Sequence, residues 1–212
     1  MAQMGRPRTF DRDHAVEQAM HLFWQHGYDA TSLAQLKAGL GGGISAPSFY
    51  AAFGSKEALF DECVQRYLTT FAQVTECLWD EGLPPRKAIE SALRQSARMQ
   101  CEDSHPKGCM VTLGVMSAPS PENARVVDAL TQSRARTRAG ILACVELGVS
   151  AGQLPGNIHA PAMATVFDSF LQGISILARD NTQHGIIDAA ITQIMLTWDI
   201  AASTVPPTHC NG

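Results

Sequence analysis

Two serines placed ten residues apart divide residues 45–60 into a short helix and the start of a longer one. Ser45 and Ser55 each occupy a position where a side-chain oxygen can accept a hydrogen bond from the first turn of a helix. Pro47 fits that first turn, because its missing N–H would have no helical partner there. Gly54 ends the first of the two helices, since glycine readily takes the left-handed conformation found after helices. The segment therefore predicts one helix on each side of a tight glycine turn.

Similar start and stop signals recur along the chain, and the period-two alternation typical of strands is absent. Asp11 and Thr31 are predicted to cap the first two helices. The sequence therefore predicts an all-α fold in which three short helices precede six longer ones, the fourth helix connecting the two groups. The predicted helices span residues 11–26, 31–36, 45–53, 56–80, 86–102, 109 onward, 120–149, 161–179 and 185–201.

Composition narrows the classes of protein to which the chain can belong. Hydrophobic residues make up 45% of the chain and charged residues 17%, which is typical of a globular protein. The net charge of −4 gives no general attraction for nucleic acid, so any DNA-binding surface has to be local. We expect no membrane span and no secretion signal. Because the cysteines form no CxxC pair, we also expect reduced thiols and a location in the cytoplasm. They are Cys63, Cys77, Cys101, Cys109, Cys144 and Cys210.

Four motifs follow one another near the N-terminus: Phe10-Asp11, Phe23-x-x-x-Gly27-Tyr28, Thr31-Ser32-Leu33 and the run from Ile44 to Phe60. Their order resembles that of the TetR family of helix-turn-helix transcriptional regulators. The resemblance implies a helix-turn-helix domain with a basic arm in residues 1–57 and a ligand-binding and dimerisation domain in residues 58–203, followed by a disordered tail in residues 204–212. One departure is a turn lengthened by about two glycines, Gly42 and Gly43, which is expected either to bulge outward or to weaken DNA binding.

The predicted DNA contacts follow from how such a domain docks. The second helix of a helix-turn-helix enters the major groove by its N-terminal turn. The N-terminus of the preceding helix attracts phosphate, and arginines on a flexible arm suit the minor groove. The resemblance adds two phosphate contacts, Tyr50 and Lys56. The complete predicted set is Arg6, Arg8, Thr31, Ser32, Ser45, Ala46, Pro47, Ser48, Tyr50 and Lys56.

A ligand pocket is predicted between helices of the C-terminal half, where apolar and polar residues mix. Its candidate residues are Trp79, Met99, Cys109, Met110, Leu113, Met116, Phe167 and Phe170. Cys101, His105 and Cys109 are spaced four apart, but Pro106 and Gly108 break the helix between them, so no metal site or cofactor is expected. The basic run of Arg134, Arg136 and Arg138 is predicted to be a solvated helix face.

The last two predicted helices are apolar over more than one stripe, so they are expected both to complete the core and to pair with a second subunit. The resemblance implies a four-helix dimer interface. The residues predicted for it are Met163, Phe170, Ile174, Ile187, Ile191, Ile194 and Trp198.

The sequence therefore predicts a homodimeric regulator, in most members of this family a repressor, that binds a palindromic double-stranded DNA operator and releases it on binding an unknown small-molecule effector. One alternative keeps the fold but senses thiol chemistry or a metal through Cys109. A second alternative is a small helical enzyme or binding protein, although no catalytic motif is present.

Overall fold

The structure, a computed structural model, describes residues 10–116 and 120–205 of the chain. Within these ranges every regular element is helical, so the all-α prediction is confirmed. The α-helices are α1 (Arg12–His26), α2 (Leu33–Gly39), α3 (Ala46–Phe53), α4 (Lys56–Thr69), α5 (Pro85–Gln100), α6 (Met110–Met116), α7 (Asp128–Ser150), α8 (Ala160–Arg179) and α9 (His184–Ala202). Two 3₁₀ segments, Phe71–Trp79 and Pro121–Val127, lie before α5 and α7.

The fourth helix ends eleven residues earlier than predicted. Thr70 takes φ −123° and ψ −84°, outside the helical region, and the chain continues as the 3₁₀ segment Phe71–Trp79. The hydroxyls of Thr69 and Thr70 donate hydrogen bonds back to the carbonyl of Arg66, at 3.1 and 2.7 Å. These local bonds compete with regular helix propagation. The prediction of one continuous rod over residues 56–80 is therefore wrong.

The helix predicted to begin at Ser120 is also interrupted. Residues Pro121–Val127 form a 3₁₀ segment that leads into α7, and Ser120 makes no side-chain cap bond. Its backbone N–H instead donates to Asp29, at 2.6 Å, in the turn after α1. That contact orients the segment against the N-terminal helices.

Two hydrophobic clusters form the core. The first contains aromatic residues of α1, α3 and α4, including Phe23, Phe49 and Phe60, and it extends to Met110 of α6. The second lies among α5, α7, α8 and α9 and includes Phe167. The first cluster contains residues on both sides of positions 57–58, which lie in the first turn of α4. The division into domains at that position stays a prediction.

Helices α8 and α9 are each long and apolar enough to cross a membrane by length and composition, with a mean hydropathy of 1.2 over their best windows. The sequence had led us to expect no such segment. Core helices of soluble proteins pass the same test, and one face of each helix packs into the second cluster. Burial in the core accounts for part of their apolar character, since 39% of the α8 window and 22% of the α9 window is buried.

Candidate nucleic-acid interface and regulatory cavity

Helix α3 is capped as its sequence predicts. The Ser45 hydroxyl accepts a hydrogen bond from the Ser48 N–H at 3.2 Å, and Gly54 ends the helix at φ +75°. Phe49 and Phe53, four residues apart, are 0% and 6% exposed in the first cluster. Burying this one face fixes which side of α3 the protein turns outward.

The outward face of α3 carries the residues predicted to enter the major groove. Ser45, Pro47 and Ser48 are exposed, and Ala46 is half-buried beside them. The hydroxyls of Ser45 and Ser48 lie 2.8 Å apart and share a hydrogen bond. Tyr50 is 51% exposed, and the edge of its ring contacts the buried Phe49. Hydroxyl groups are thus concentrated at the free N-terminal end of the helix.

Helix α2 begins one residue later than predicted. Ser32 is its N-cap and forms a reciprocal capping box, donating from its N–H to Gln35 Oε1 at 2.7 Å and accepting from the Gln35 N–H at 3.1 Å. Thr31 is fully buried, and its hydroxyl donates to the Gly27 carbonyl at 2.7 Å. The predicted capping role of Thr31 is therefore wrong. With no exposed surface, Thr31 also leaves the set of candidate phosphate contacts, whereas Ser32 remains exposed.

Lys56 is half-buried at the start of α4. Its ammonium lies 4.2 Å from the centre of the Tyr28 ring, a cation–π contact. Burial lowers the pKa of Lys56, and the nearby Asp29 carboxylate partly opposes that change. Lys56 is the first residue of α4, directly after the α3–α4 turn, and its half-buried side chain keeps part of its surface open to solvent.

The long turn between α2 and α3 is anchored to neighbouring helices. Gly41, Gly42 and Gly43 all have positive φ, at 59°, 83° and 106°. The Gly41 N–H donates to Gln18 Oε1 of α1 at 2.9 Å, and the Gly43 N–H donates to the Leu40 carbonyl at 2.9 Å. The extra residues are thus accommodated by conformations that glycine adopts without strain.

Arg6 and Arg8, the predicted minor-groove residues, lie outside the described residues.

Arg12, which was not among the predicted site residues, holds α3 in place. Its guanidinium donates to both carboxylate oxygens of Glu62, at 2.6 and 2.7 Å, and its Nε donates to the Ala52 carbonyl at 3.3 Å. No local motif distinguishes Arg12 from an ordinary exposed helix residue.

A cavity of about 40 Å³ lies between the 3₁₀ segment Phe71–Trp79 and helices α5 to α8. Such a volume holds a few water molecules or a compact ligand group, since one water needs roughly 10–15 Å³ by this measure. The lining residues are Tyr67, Ala72, Val74, Thr75, Ser96, Met99, Gln100, Cys109, Val111, Thr112, Ser133, Arg134, Thr137, Leu171 and Gln172.

Of the eight residues predicted for the pocket, Met99 and Cys109 line this cavity. Met110 and Phe167 are instead buried in the two hydrophobic clusters, where apolar packing rather than a cavity surrounds them. Trp79 is 43% exposed and lines a separate surface cleft. Leu113 and Phe170 are half-buried outside the cavity lining, and the side chain of Met116 lies outside the described residues. Trp79, Met110, Leu113, Phe167 and Phe170 thus do not line this cavity, and the effector pocket itself stays a prediction.

A short hydrogen-bond chain ends on the sulfur of Cys109. The Met110 N–H donates to the Tyr67 oxygen at 3.3 Å, and the Tyr67 hydroxyl donates to Cys109 Sγ at 3.3 Å. Burial raises the pKa of Tyr67 well above its usual value, so the phenol stays protonated and available as a donor. Among the residues that the structure describes, no group of three or more His, Cys, Asp or Glu side chains is arranged to hold a metal ion.

The predicted dimer residues mostly face the subunit's own core. Met163, Ile174, Ile187, Ile191 and Trp198 are between 0% and 6% exposed, so their assignment to an intersubunit surface is wrong. Phe170 and Ile194 are half-buried. The sequence pattern shows that the helices have two apolar stripes but not which of them faces inward.

The outer faces of α8 and α9 carry a second stripe at heptad spacing, alternately three and four residues apart. On α8, Gly173 lies within the stripe, and a Cβ added there would meet no atom within 4 Å in the subunit. On α9, Ile186 and Ile200 are 62% and 66% exposed. The stripe residues are Ala162, Val166, Ser169, Gly173 and Ile176 of α8, and Ile186, Ala189, Gln193, Leu196 and Ile200 of α9.

Comparison with known proteins supports these observations. Residues 15–63 match the family described as bacterial regulatory proteins, tetR family. The HTH-type transcriptional repressor ComR of Escherichia coli (strain K12) is 35% identical over 180 residues, 83% of each chain. The HTH-type transcriptional repressor BdcR of the same organism is 37% identical over 113 residues, 53% of this chain and 56% of its own.

Among solved structures, a cysteine-substituted form of the TetR family transcriptional regulator CifR, complexed with 26-bp double-strand operator DNA, is 33% identical. It covers 91% of this chain and 100% of its own, with a TM-score of 0.78. The matched proteins are transcriptional regulators, so the alternative of a helical enzyme is not supported. The chain therefore belongs to the TetR family of DNA-binding transcriptional regulators.

Proposed function

We propose that the protein represses transcription in the cytoplasm as a homodimer that binds a palindromic double-stranded DNA operator. The observation that carries this proposal is the exposed N-terminal turn of α3, with Ser45, Pro47 and Ser48 outermost and Phe49 buried beneath them. The names of ComR and BdcR, both repressors, and the operator complex of CifR support it.

Docking would place the first turn of α3 in the major groove, with Ser32 and Tyr50 towards phosphates on either side. Helix α3 has no arginine, the residue that most often reads guanine. Its serine hydroxyls bond either donors or acceptors, and Ala46 and Pro47 suit thymine methyl groups. Sequence preference would then arise from these contacts together with the shape of the DNA.

Two subunits would pair through the outer stripe of α8 and α9. Ser169 and Gly173 leave room for close approach of a partner helix, and Ile200 supplies exposed apolar surface. Burying such a stripe against its symmetry copy gives the self-complementary contact of a two-fold dimer. A dimer is needed because two half-sites lie about one helical turn, roughly 34–36 Å, apart.

A small molecule in the cavity would release the DNA by favouring a conformation with a different separation of the two α3 helices. The cavity touches Tyr67 of α4, and α4 begins directly after α3. A displacement of Tyr67 would therefore reach the DNA-reading helix through a single helix of 14 residues.

The test is a mobility-shift titration of the wild-type protein on DNA from upstream of its own gene. We expect a discrete complex that survives excess unrelated DNA. A Phe49→Ser variant, which disrupts the core beneath α3, is the negative control. Equal binding to unrelated DNA of the same length would contradict the proposal.

The thiol-sensing alternative rests on the position of Cys109, whose sulfur accepts a hydrogen bond from the Tyr67 hydroxyl at the cavity wall. Cys109 is half-buried there, so a reagent that enters the cavity can reach its sulfur. Cys63, by contrast, is fully buried, and burial raises its pKa far above the usual range. In Cys144, burial raises the pKa to about 11.

Treatment with N-ethylmaleimide tests this alternative. The thiolate sulfur adds to the maleimide double bond, and the neighbouring carbon takes a proton from water. We expect peptide mapping to find Cys109 modified before Cys63 and Cys144, with loss of DNA binding in wild-type protein but not in Cys109→Ala. Full DNA binding by protein modified at Cys109 would exclude the thiol mechanism.

A further inference from the structure

Helix α7 carries three arginines in alternate positions, and one of them differs from the others. Arg136 donates to Glu76 with an Nη2–Oε2 distance of 2.8 Å, and Arg138 donates to Asp168 with an Nε–Oδ2 distance of 3.1 Å. With the residues that the structure describes, Arg134 forms neither an ion pair nor a side-chain hydrogen bond. The spacing of the three arginines predicts a uniform solvated face, and the structure shows that Arg134 departs from it.

Arg134 turns towards the cavity and is half-buried in its wall. Its Nε atom is fully buried and has no hydrogen-bond partner among the described residues. The remaining parts of the chain, residues 1–9, 117–119 and 206–212, contain no Asp or Glu. Among the described residues no carboxylate pairs with Arg134, and the remaining segments contain none that could. An unpaired buried guanidinium N–H costs free energy that a bound acceptor would recover.

The rest of the cavity wall specifies what kind of acceptor fits. Among the described residues that line the cavity none is acidic, and Arg134 is the charged one. Val74, Met99 and Leu171 provide apolar surface, and the cavity volume is about 40 Å³. The Gln172 amide is already engaged, accepting from Thr112 and donating to Asp168. The site therefore combines one cation with a small apolar chamber.

We propose that the cavity binds a short-chain organic acid, with its carboxylate accepting hydrogen bonds from the guanidinium of Arg134 and the hydrocarbon part against Val74, Met99 and Leu171. This inference rests on the proposed function, because it names the chemical class of the effector. An arginine side chain matches a carboxylate in both charge and geometry. The compact volume selects acids of few carbon atoms over long-chain ones.

The experiment measures the thermal unfolding midpoint of the full-length protein with a series of sodium carboxylates from acetate to octanoate. Each acid is compared with its neutral amide, and with sodium chloride and sodium phosphate at the same ionic strength. We expect at least one short carboxylate to raise the midpoint in a saturable manner. Its amide and the inorganic salts should not. Equal stabilisation by acid and amide, or by inorganic anions, would overturn the proposal, as would no response to any acid.

Two substitutions on the same helix provide the matched pair. Arg134→Gln should weaken carboxylate binding by about tenfold or more, the usual effect of losing a charged hydrogen bond. Arg136→Gln, which removes an arginine already paired with Glu76, should leave it unchanged. Unchanged binding in Arg134→Gln would contradict the proposal. If the glutamine variant does not fold, Arg134→Lys takes its place in the test. It keeps the charge without the Nε donor, so we expect an intermediate affinity.

DNA titration of the same proteins separates this inference from the proposed function. Arg134 lies on α7, outside helices α1 to α3, so Arg134→Gln should bind promoter DNA like the wild type. If wild-type protein binds DNA but no carboxylate, the effector class is wrong and the proposed function stands. If carboxylates bind but DNA does not, the proposed function fails and the ligand site stands.

Discussion

Arg179, the last residue of α8, donates a hydrogen bond of 2.7 Å from Nη2 to the backbone oxygen of Trp24, near the end of α1. Nη1 donates to the Gln25 carbonyl at 3.2 Å, and Nε donates to the Lys107 carbonyl at 2.8 Å. The last carbonyls of a helix lack intrahelical partners, and a cation there also complements the helix dipole. One side chain thus joins α1 to the helix that carries the proposed dimer stripe.

Arg179→Met should loosen this junction. Losing three charge-assisted bonds while keeping most of the aliphatic stem is expected to lower the free energy of unfolding by about 1–3 kcal/mol. Hydrogen–deuterium exchange should become faster at the end of α1 and around Lys107. Arg66→Met is the matched control, because Arg66 bonds Asp13 at the start of α1. Unchanged protection at the end of α1 and around Lys107 would contradict this role of Arg179.

Tyr50→Phe and Ser48→Ala should separate affinity from sequence preference. Tyr50 is exposed, so removing its hydroxyl should spare the fold and weaken DNA binding by about 0.5–1.5 kcal/mol on every sequence. Ser48→Ala should instead alter base preference, since it lies in the turn proposed to enter the groove. Selection from randomised DNA sites measures both effects. A sequence-selective loss for Tyr50→Phe, or an unaltered preference for Ser48→Ala, would contradict these roles.

Gly43→Ala should distort the turn that sets the angle of α3. At φ +106°, a side chain strains the backbone although no neighbouring atom blocks it, and such strain costs about 1–3 kcal/mol. We expect a lower unfolding free energy in urea and weaker DNA binding. Gly156→Ala, in the exposed loop before α8 with open space around its Cβ position, is the control. Equal behaviour of the two variants would show that the turn does not require glycine.

Gly173→Glu should break the dimer without unfolding the subunit. Its Cβ position is open in the subunit, and replacing a helical glycine by glutamate favours the helix by about 0.5 kcal/mol. A carboxylate at the centre of the outer stripe would, however, be desolvated against its own copy. We expect monomers that keep their helices, and light scattering after gel filtration measures their mass. A dimeric Gly173→Glu protein would place the interface elsewhere, and Gly156→Glu controls for the added charge.

The sequence predicted those features that local chemistry determines. Caps at Asp11, Ser45 and Ser55, and the inward side of α3, depend on residues within one or two turns of each other, and the structure agrees. The end of α4 was missed because the hydroxyls of Thr69 and Thr70 bond the preceding turn, an effect that helical periodicity does not register.

Features that depend on distant partners were not predictable from local patterns. Ile187 and Ile200 are both apolar residues of α9, and only packing against α5 and α8 determines that the first is buried and the second exposed. Arg134 and Arg136 look equivalent in the sequence, yet a glutamate 60 residues away neutralises the second. Arg179 likewise reaches Trp24 across 155 positions. Such contacts exist only once the chain has folded.

Sedimentation velocity with a fluorescent DNA fragment carrying the selected palindromic site tests whether two subunits, paired through α8 and α9, present two α3 helices to two half-sites. We expect free wild-type protein to sediment as a dimer and each tight complex to contain an even number of chains. A stable wild-type monomer that binds the same palindrome just as tightly would contradict this mechanism.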